Sequence, residues 1–155
     1  MYPEPVASVK QALTAAGAED TVTVFDAKVP TAAAAAAALG CELAAITNSL
    51  VFDLEGAPLL ILASGAARVD VRKVAAQLGA GTIRRASPDF VLAHTGQEVG
   101  GVAPLGHPEK IRTLLDRSLA EHPILWAGAG DHNSMFSITY EDLRRITDAE
   151  VLMVR

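Results

Sequence analysis

The residues best placed to do chemistry lie in the run Thr95-Gly96-Gln97-Glu98-Val99-Gly100-Gly101-Val102-Ala103-Pro104-Leu105-Gly106-His107. Glycine reaches positive φ freely and lets another group come close to the main chain. A loop built this way can aim several backbone N–H groups at one ligand oxygen, as an oxyanion or phosphate cradle does. A histidine closes the run. A second histidine, His132, lies in another glycine-bearing segment, Gly128-Ala129-Gly130-Asp131-His132-Asn133-Ser134. Loop imidazoles on a rigid scaffold can act as acid, base or ligand. His107 and His132 are therefore candidate site residues, with an inert surface role weighing equally for each. Asp, Asn, Ser and Gly in the second segment are also ordinary turn formers.

Other chemistries find less support. The remaining histidines, His94 and His122, complete no H-x-x-x-H or cysteine-containing spacing, so neither a metal nor any other cofactor is expected. The single cysteine, Cys41, follows the glycine that ends an alanine run, and packing suits it better than nucleophilic attack. No G-x-S-x-G elbow and no Walker loop is present. Lysine and arginine total 13 against 18 acidic residues, a net charge of −5, which argues against a general polyanion binder. Arg68, Arg72, Lys73, Arg84 and Arg85 lie close in sequence and read as a solvated helix face and strand end. One cysteine excludes an internal disulfide and suits a reducing compartment. No signal segment or membrane-length apolar run is visible, so a cytoplasmic protein is expected.

These residues need elements to position them. A chain of 155 residues fits one domain with a sizeable core, expected to span residues 1–155. Val6, Val9, Leu13 and Ala16 have helical spacing before Gly17. Thr21–Phe25 is β-branched and reads as a strand. Pro30-Thr31 opens an alanine helix over 32–38, with Thr31 as N-cap and Gly40 as stop. Apolar runs over 44–52 and 58–63 around Asp53-Leu54-Glu55-Gly56-Ala57 predict a hairpin. Val69 to Leu78 predicts a helix closed by Gly79. Ser87-Pro88 begins another that ends at Gly96, where the glycine loop starts. Strands are predicted over 111–115, 124–127, 135–139 and 151–154, a helical turn over 116–122, and a helix after Thr139. Trp126 reads as core. Irregular mixing of strands and helices points to an α+β fold.

Three segments, in order, resemble the YbaK/aminoacyl-tRNA deacylase family, which is related to the editing domain of bacterial prolyl-tRNA synthetases. Ile46-Thr47-Asn48-Ser49-Leu50-Val51-Phe52 is similar to the family strand that carries K-S-L-V-F. Gly100-Gly101-Val102-Ala103-Pro104 resembles its G-x-x-x-P loop. Ala127-Gly128-Ala129-Gly130, followed by Asp142-Leu143 and Thr147, resembles its C-terminal pattern. The resemblance implies a single domain with a mixed, mostly antiparallel sheet flanked by helices. It implies hydrolysis of the ester of a mischarged tRNA, with the aminoacyl-tRNA 3′ end as partner and a synthetase as a further one, and with no metal or membrane. In relatives the loop N–H groups position the ester carbonyl, a strand lysine holds the terminal nucleotide, and the tRNA 2′-hydroxyl helps activate water.

Carried onto this sequence, Asn48, Gly100 and Gly101 would be catalytic. Ser49, Val102, Ala103, Pro104 and His107 would bind substrate, and Gly130, Asp131, His132, Asn133 and Ser134 would set specificity. Asn48 stands where the family has lysine, and an amide carries no charge and cannot shuttle a proton. Two alternatives stay open: a non-catalytic module binding an amino acid, an aminoacyl-adenosine or a synthetase, and an unrelated hydrolase using His107 or His132.

Overall fold

The computed structural model describes residues 4–29 and 31–155; Pro30, expected to open the alanine helix, lies outside them, as do Met1, Tyr2 and Pro3. Local sequence chemistry sets most element ends. Helix α1 (Glu4–Ala15) buries Val6, Val9 and Leu13. Helix α2 (Ala32–Leu39) starts where Thr31 Oγ1 accepts the Ala34 N–H at 3.1 Å and stops at Gly40, φ +67°. Helix α3 (Val71–Leu78) is capped by Asp70, α4 (Pro88–Thr95) by Ser87, and α5 (Tyr140–Thr147) by Thr139.

Eight strands form one sheet among the described residues: β1 (Thr23–Val24), β2 (Ile46–Leu54), β3 (Ala57–Ser64), β4 (Ile83–Arg85), β5 (Arg112–Asp116), β6 (Leu125–Gly128), β7 (Ser134–Ile138) and β8 (Glu150–Leu152). The order is β1-β7-β6-β2-β3-β5-β8, with β4 also on β2. The β2–β3 hairpin turns through Glu55 (φ +52°) and Gly56 (φ +94°), and Asp53 Oδ1 accepts the Gly56 N–H at 2.7 Å. The β1–β7, β6–β7, β2–β3 and β2–β4 pairs are antiparallel; β2–β6, β3–β5 and β5–β8 are parallel. This is the mixed sheet of the α+β expectation. Strand β4 lies outside the strands the sequence predicts, and the segment after residue 116 is a 3-10 turn (Arg117–Glu121).

Both faces of the sheet are covered, which explains why Leu59–Ala63 is an unbroken apolar run. On one face Leu60, Leu62, Leu115 and Phe136 pack with Val9 and Leu13 of α1, Val91 of α4 and Leu143 of α5. On the other, Leu59, Ile61 and Leu114 pack with Val74 and Ala75 of α3, and Ala35 and Ala36 of α2 sit on Ile46 and Met135. Trp126 is only partly buried, at the margin of this last cluster.

One irregularity positions the site. Strand β3 occupies a whole edge of β2, from Thr47 to Leu54. Strands β6 and β4 must therefore share the other edge. Strand β6 meets it at Ile46 and Thr47, and β4 at Phe52 to Leu54. Asn48, Ser49, Leu50 and Val51 lie in the gap between them. Strand alternation turns Thr47, Ser49 and Val51 to the α1/α4/α5 face and Asn48, Leu50 and Phe52 to the α2/α3 face.

Candidate active site

A cleft of about 880 Å³ opens at this gap. Its floor is Thr47 to Phe52. On one side stand Gly100 and Val102 of the first glycine loop, with Asp131 and Ser134 of the second; on the other stand Val29, Ala32 and Ala35 at α2, with Arg68 and Arg85.

The first loop is held by its own side chains. Gly96, φ +71°, ends α4. Thr95 Oγ1 lies 2.7 Å from the Val91 carbonyl and accepts the Gln97 N–H at 3.0 Å. The buried Gln97 accepts the Ala103 N–H on Oε1 at 2.8 Å, and Gly101 N–H donates to the Glu98 carbonyl at 2.9 Å. Three of the loop N–H donors, those of Gln97, Gly101 and Ala103, are thus spent internally, and Pro104 has none. Gly100 (φ +89°) and Val102 keep N–H groups without a protein acceptor among the described residues, and both line the cleft. Gly101, Ala103 and Pro104 lie buried behind them.

The second loop joins β6 to β7. Asp131 Oδ1 accepts the Asn133 N–H at 2.9 Å and the Ser134 hydroxyl at 2.6 Å, leaving Oδ2 without a partner among the described residues. The His132 and Asn133 carbonyls accept N–H groups from Val29 and Phe25 at 2.8 and 2.7 Å, so this loop also fixes the approach to α2. Gly130 has φ +110°, and a Cβ there would stand 2.8 Å from the Pro5 carbonyl oxygen. The two glycine loops touch. A Cβ on Gly101 would lie 2.9 Å from the Asp131 carbonyl carbon and 2.9 Å from the His132 ring. Of the second-loop candidates, Asp131 and Ser134 face the cleft; Gly130, His132 and Asn133 do not line it.

His107 is placed elsewhere. Gly106, φ +86°, turns the chain so tightly against Val9 that a Cβ would meet the Val9 Cα at 3.1 Å. The His107 ring then lines a separate cleft against α1, and its Nε2–H donates to the Ala103 carbonyl at 2.8 Å. It braces the glycine loop from behind and does not shape the main cleft. Burial pushes its imidazole below the ordinary value, with the Ala103 hydrogen bond opposing. The unfolded chain, with His107 at about 6.5, then binds more protons than the folded one, so stability rises with pH. The His107 contribution is full above about pH 6.5 and is lost as pH falls toward the folded value. Urea midpoints measured from pH 7.5 to 5 should fall on acidification, and His107→Gln should flatten that fall.

Two floor hydroxyls are unusual. Thr47 Oγ1 and Ser49 Oγ are buried and have no hydrogen-bond partner among the described residues. An unmade bond at a buried polar group costs about 1–3 kcal/mol. Both residues face the side of the sheet where the glycine loop lies. Asn48 points to the opposite face, so it and the loop N–H groups approach one cleft from different sides of the sheet. Ser49 was legible in the strand motif, while Thr47 was not. Cys41 is half-buried against the α2 cluster, and burial pushes its thiol up, which suits packing.

The sequence profile of the aminoacyl-tRNA editing domain matches residues 26–146, which takes in β2, both glycine loops and most of α5. The chain belongs to this family. Similar proteins cover nearly all of the chain. The uncharacterized protein YwhH of Bacillus subtilis (strain 168) is 34% identical over 145 residues, 93% of this chain and 92% of that protein. A crystal structure described as a candidate trans-editing enzyme for prolyl-tRNA synthetase superposes with TM-score 0.93 and 34% identity, covering 100% of this chain and 99% of that one. A scaffold protein from computational epitope grafting superposes with TM-score 0.92 and 31% identity, covering 99% of each. The editing-domain family and this likeness support a tRNA-deacylase-like role and weigh against an unrelated histidine hydrolase.

Proposed function

We propose that the protein is a freestanding deacylase that hydrolyses the ester of a mischarged aminoacyl-tRNA in trans. The observation that carries this reading is a cleft floored by Thr47 and Ser49, whose buried hydroxyls have no partner among the described residues, and walled by Gly100 and Val102, whose N–H groups have no protein acceptor there. Such groups fit a ligand rich in hydroxyl and carbonyl oxygen. The terminal ribose would lie over Thr47 and Ser49. The ester carbonyl would accept from Gly100 and Val102 N–H, whose fixed dipoles favour the charge that grows on its oxygen as water adds. The ester C–O bond then breaks, the ribose oxygen takes a proton, and the amino acid leaves as a free carboxylate. Asp131 Oδ2 offers an acceptor for the substrate ammonium.

Among the described cleft residues there is no lysine or histidine, so general-base help would come from the substrate's own hydroxyl or a held water. Asn48 favours a second reading, a module that binds the same end without hydrolysing it. A panel of mischarged tRNAs tests the first reading: at least one should be deacylated well above the buffer rate, and none above it would end the enzymatic claim. Asn48→Lys separates the two. Loss of activity from an active parent supports an asparagine-based enzyme. Gain of activity in an inactive parent supports the binding module.

A further inference from the structure

The chain is acidic, with net charge −5, yet the cleft is not. Arg68 and Arg85 are its lysine- or arginine-type residues and Asp131 its one carboxylate, among the described residues. That carboxylate already accepts two hydrogen bonds on Oδ1. Neither arginine side chain takes part in an ion pair or hydrogen bond among the described residues, although five other cationic side chains and three histidines do pair with carboxylates or carbonyls. Their positions are dictated by the fold. Arg85 is the cross-strand partner of Phe52, so it shares the face of Phe52, Leu50 and Asn48. Arg68 follows the end of β3 on the loop into α3, beside Val69, which packs on that same face. The first turn of α2, at Thr31 and Ala32, lines the cleft there too and adds the positive end of a helix dipole. Positive charge is thus gathered on the Asn48 side of the gap, away from the ester cradle.

We propose that Arg68 and Arg85 hold the backbone phosphates of the single-stranded 3′ end of the RNA, supplying from the rim the charge that Asn48 lacks. The proposal rests on the reading of the cleft as an aminoacyl-tRNA site. Guanidinium groups suit it because their planar fork grips phosphate oxygens in pairs. Two unpaired arginine side chains also give an acidic chain a local hold on a polyanion.

The test is binding of a 5′-labelled single-stranded RNA ending in CCA, followed by anisotropy from about 50 to 300 mM KCl. Arg68→Gln and Arg85→Gln should each weaken binding about tenfold at low salt. Each should also lower the slope of log affinity against log salt by about 0.7, one phosphate contact on a single strand. Arg68→Lys and Arg85→Lys should keep the slope, and Arg72→Gln, on α3 outside the cleft, should match the parent. Unchanged affinity and slope in the glutamine variants would overturn the proposal. So would equal losses in the lysine variants, or a parent that fails to bind the RNA at low salt. Deacylation by the parent is scored separately. If it deacylates while the slopes stay unchanged, this proposal alone falls. If the slopes drop but no ester is cleaved, the phosphate clamp stands and the hydrolytic reading falls.

Discussion

Gly101→Ala is expected to reduce deacylation about 100-fold while the protein still folds. The added methyl would meet the Asp131 main chain and the His132 ring at 2.9 Å, and backbone cannot yield as the end of a long side chain can. The two glycine loops must separate by a few tenths of an ångström or more. That motion displaces Gly100 and Val102 N–H from one direction and Asp131 from the other, so the ester would lose its alignment with both. Overpacking of this kind destabilises by about 1–3 kcal/mol. Single-turnover deacylation and urea unfolding of the same variant check both parts. An alanine variant with parental rate would show that the loops do not jointly form the reaction site.

The second large effect concerns a residue remote from the cleft. Asp116, 2% exposed at the end of β5, accepts the Ser64 N–H on Oδ2 at 3.0 Å. It also accepts the Ser118 N–H at 2.9 Å and the Ser118 hydroxyl at 2.8 Å on Oδ1. Ser64 in turn donates its hydroxyl to the Ala44 carbonyl and accepts the Ala66 N–H. One carboxylate thus ties the ends of β3 and β5 to the loop that carries Arg68. Hydrogen bonds to a charged group contribute about 1.5–3 kcal/mol each, and removing the acceptor strands its buried donors. Asp116→Ala should lower stability by at least about 3 kcal/mol. Asp116→Asn should recover only part of this, because one amide end would face an N–H with another N–H. Urea midpoints of the two variants provide the check; equal midpoints for alanine and aspartate would refute the network.

Legibility followed the range of the interactions involved. Thr31, Ser87, Thr139, Gly40 and Gly96 act within four residues of themselves, and the helix ends they predict are present. The Glu55-Gly56 hairpin is equally local. Strand β4 carries no sequence signal because it has three residues, two of them exposed arginines, and exists only through pairing with β2. Without β4 there is no gap, so neither the cleft nor the gathering of Arg68 and Arg85 could be read from the chain. His107 shows the same limit in reverse. Its place beside the glycines suggested the site, but the positive φ of Gly106 sends it behind the loop toward α1. Within the loop, sequence indicated a donor array without revealing which donors Glu98 and Gln97 already occupy. Nothing in the sequence marks Thr47, since a threonine in a strand ordinarily needs no explanation; its missing partner is a tertiary property.

The break along the edge of β2 has a further consequence, for association between chains. An open strand edge invites pairing with another molecule. Here the open stretch is four residues long and lies between β6 and β4, which block any strand that would need to run past them. The outward edges of the sheet are blunt as well, with two residues in β1 and three in β8. The fold can therefore keep unpaired main chain available for a small ligand without offering a template for aggregation.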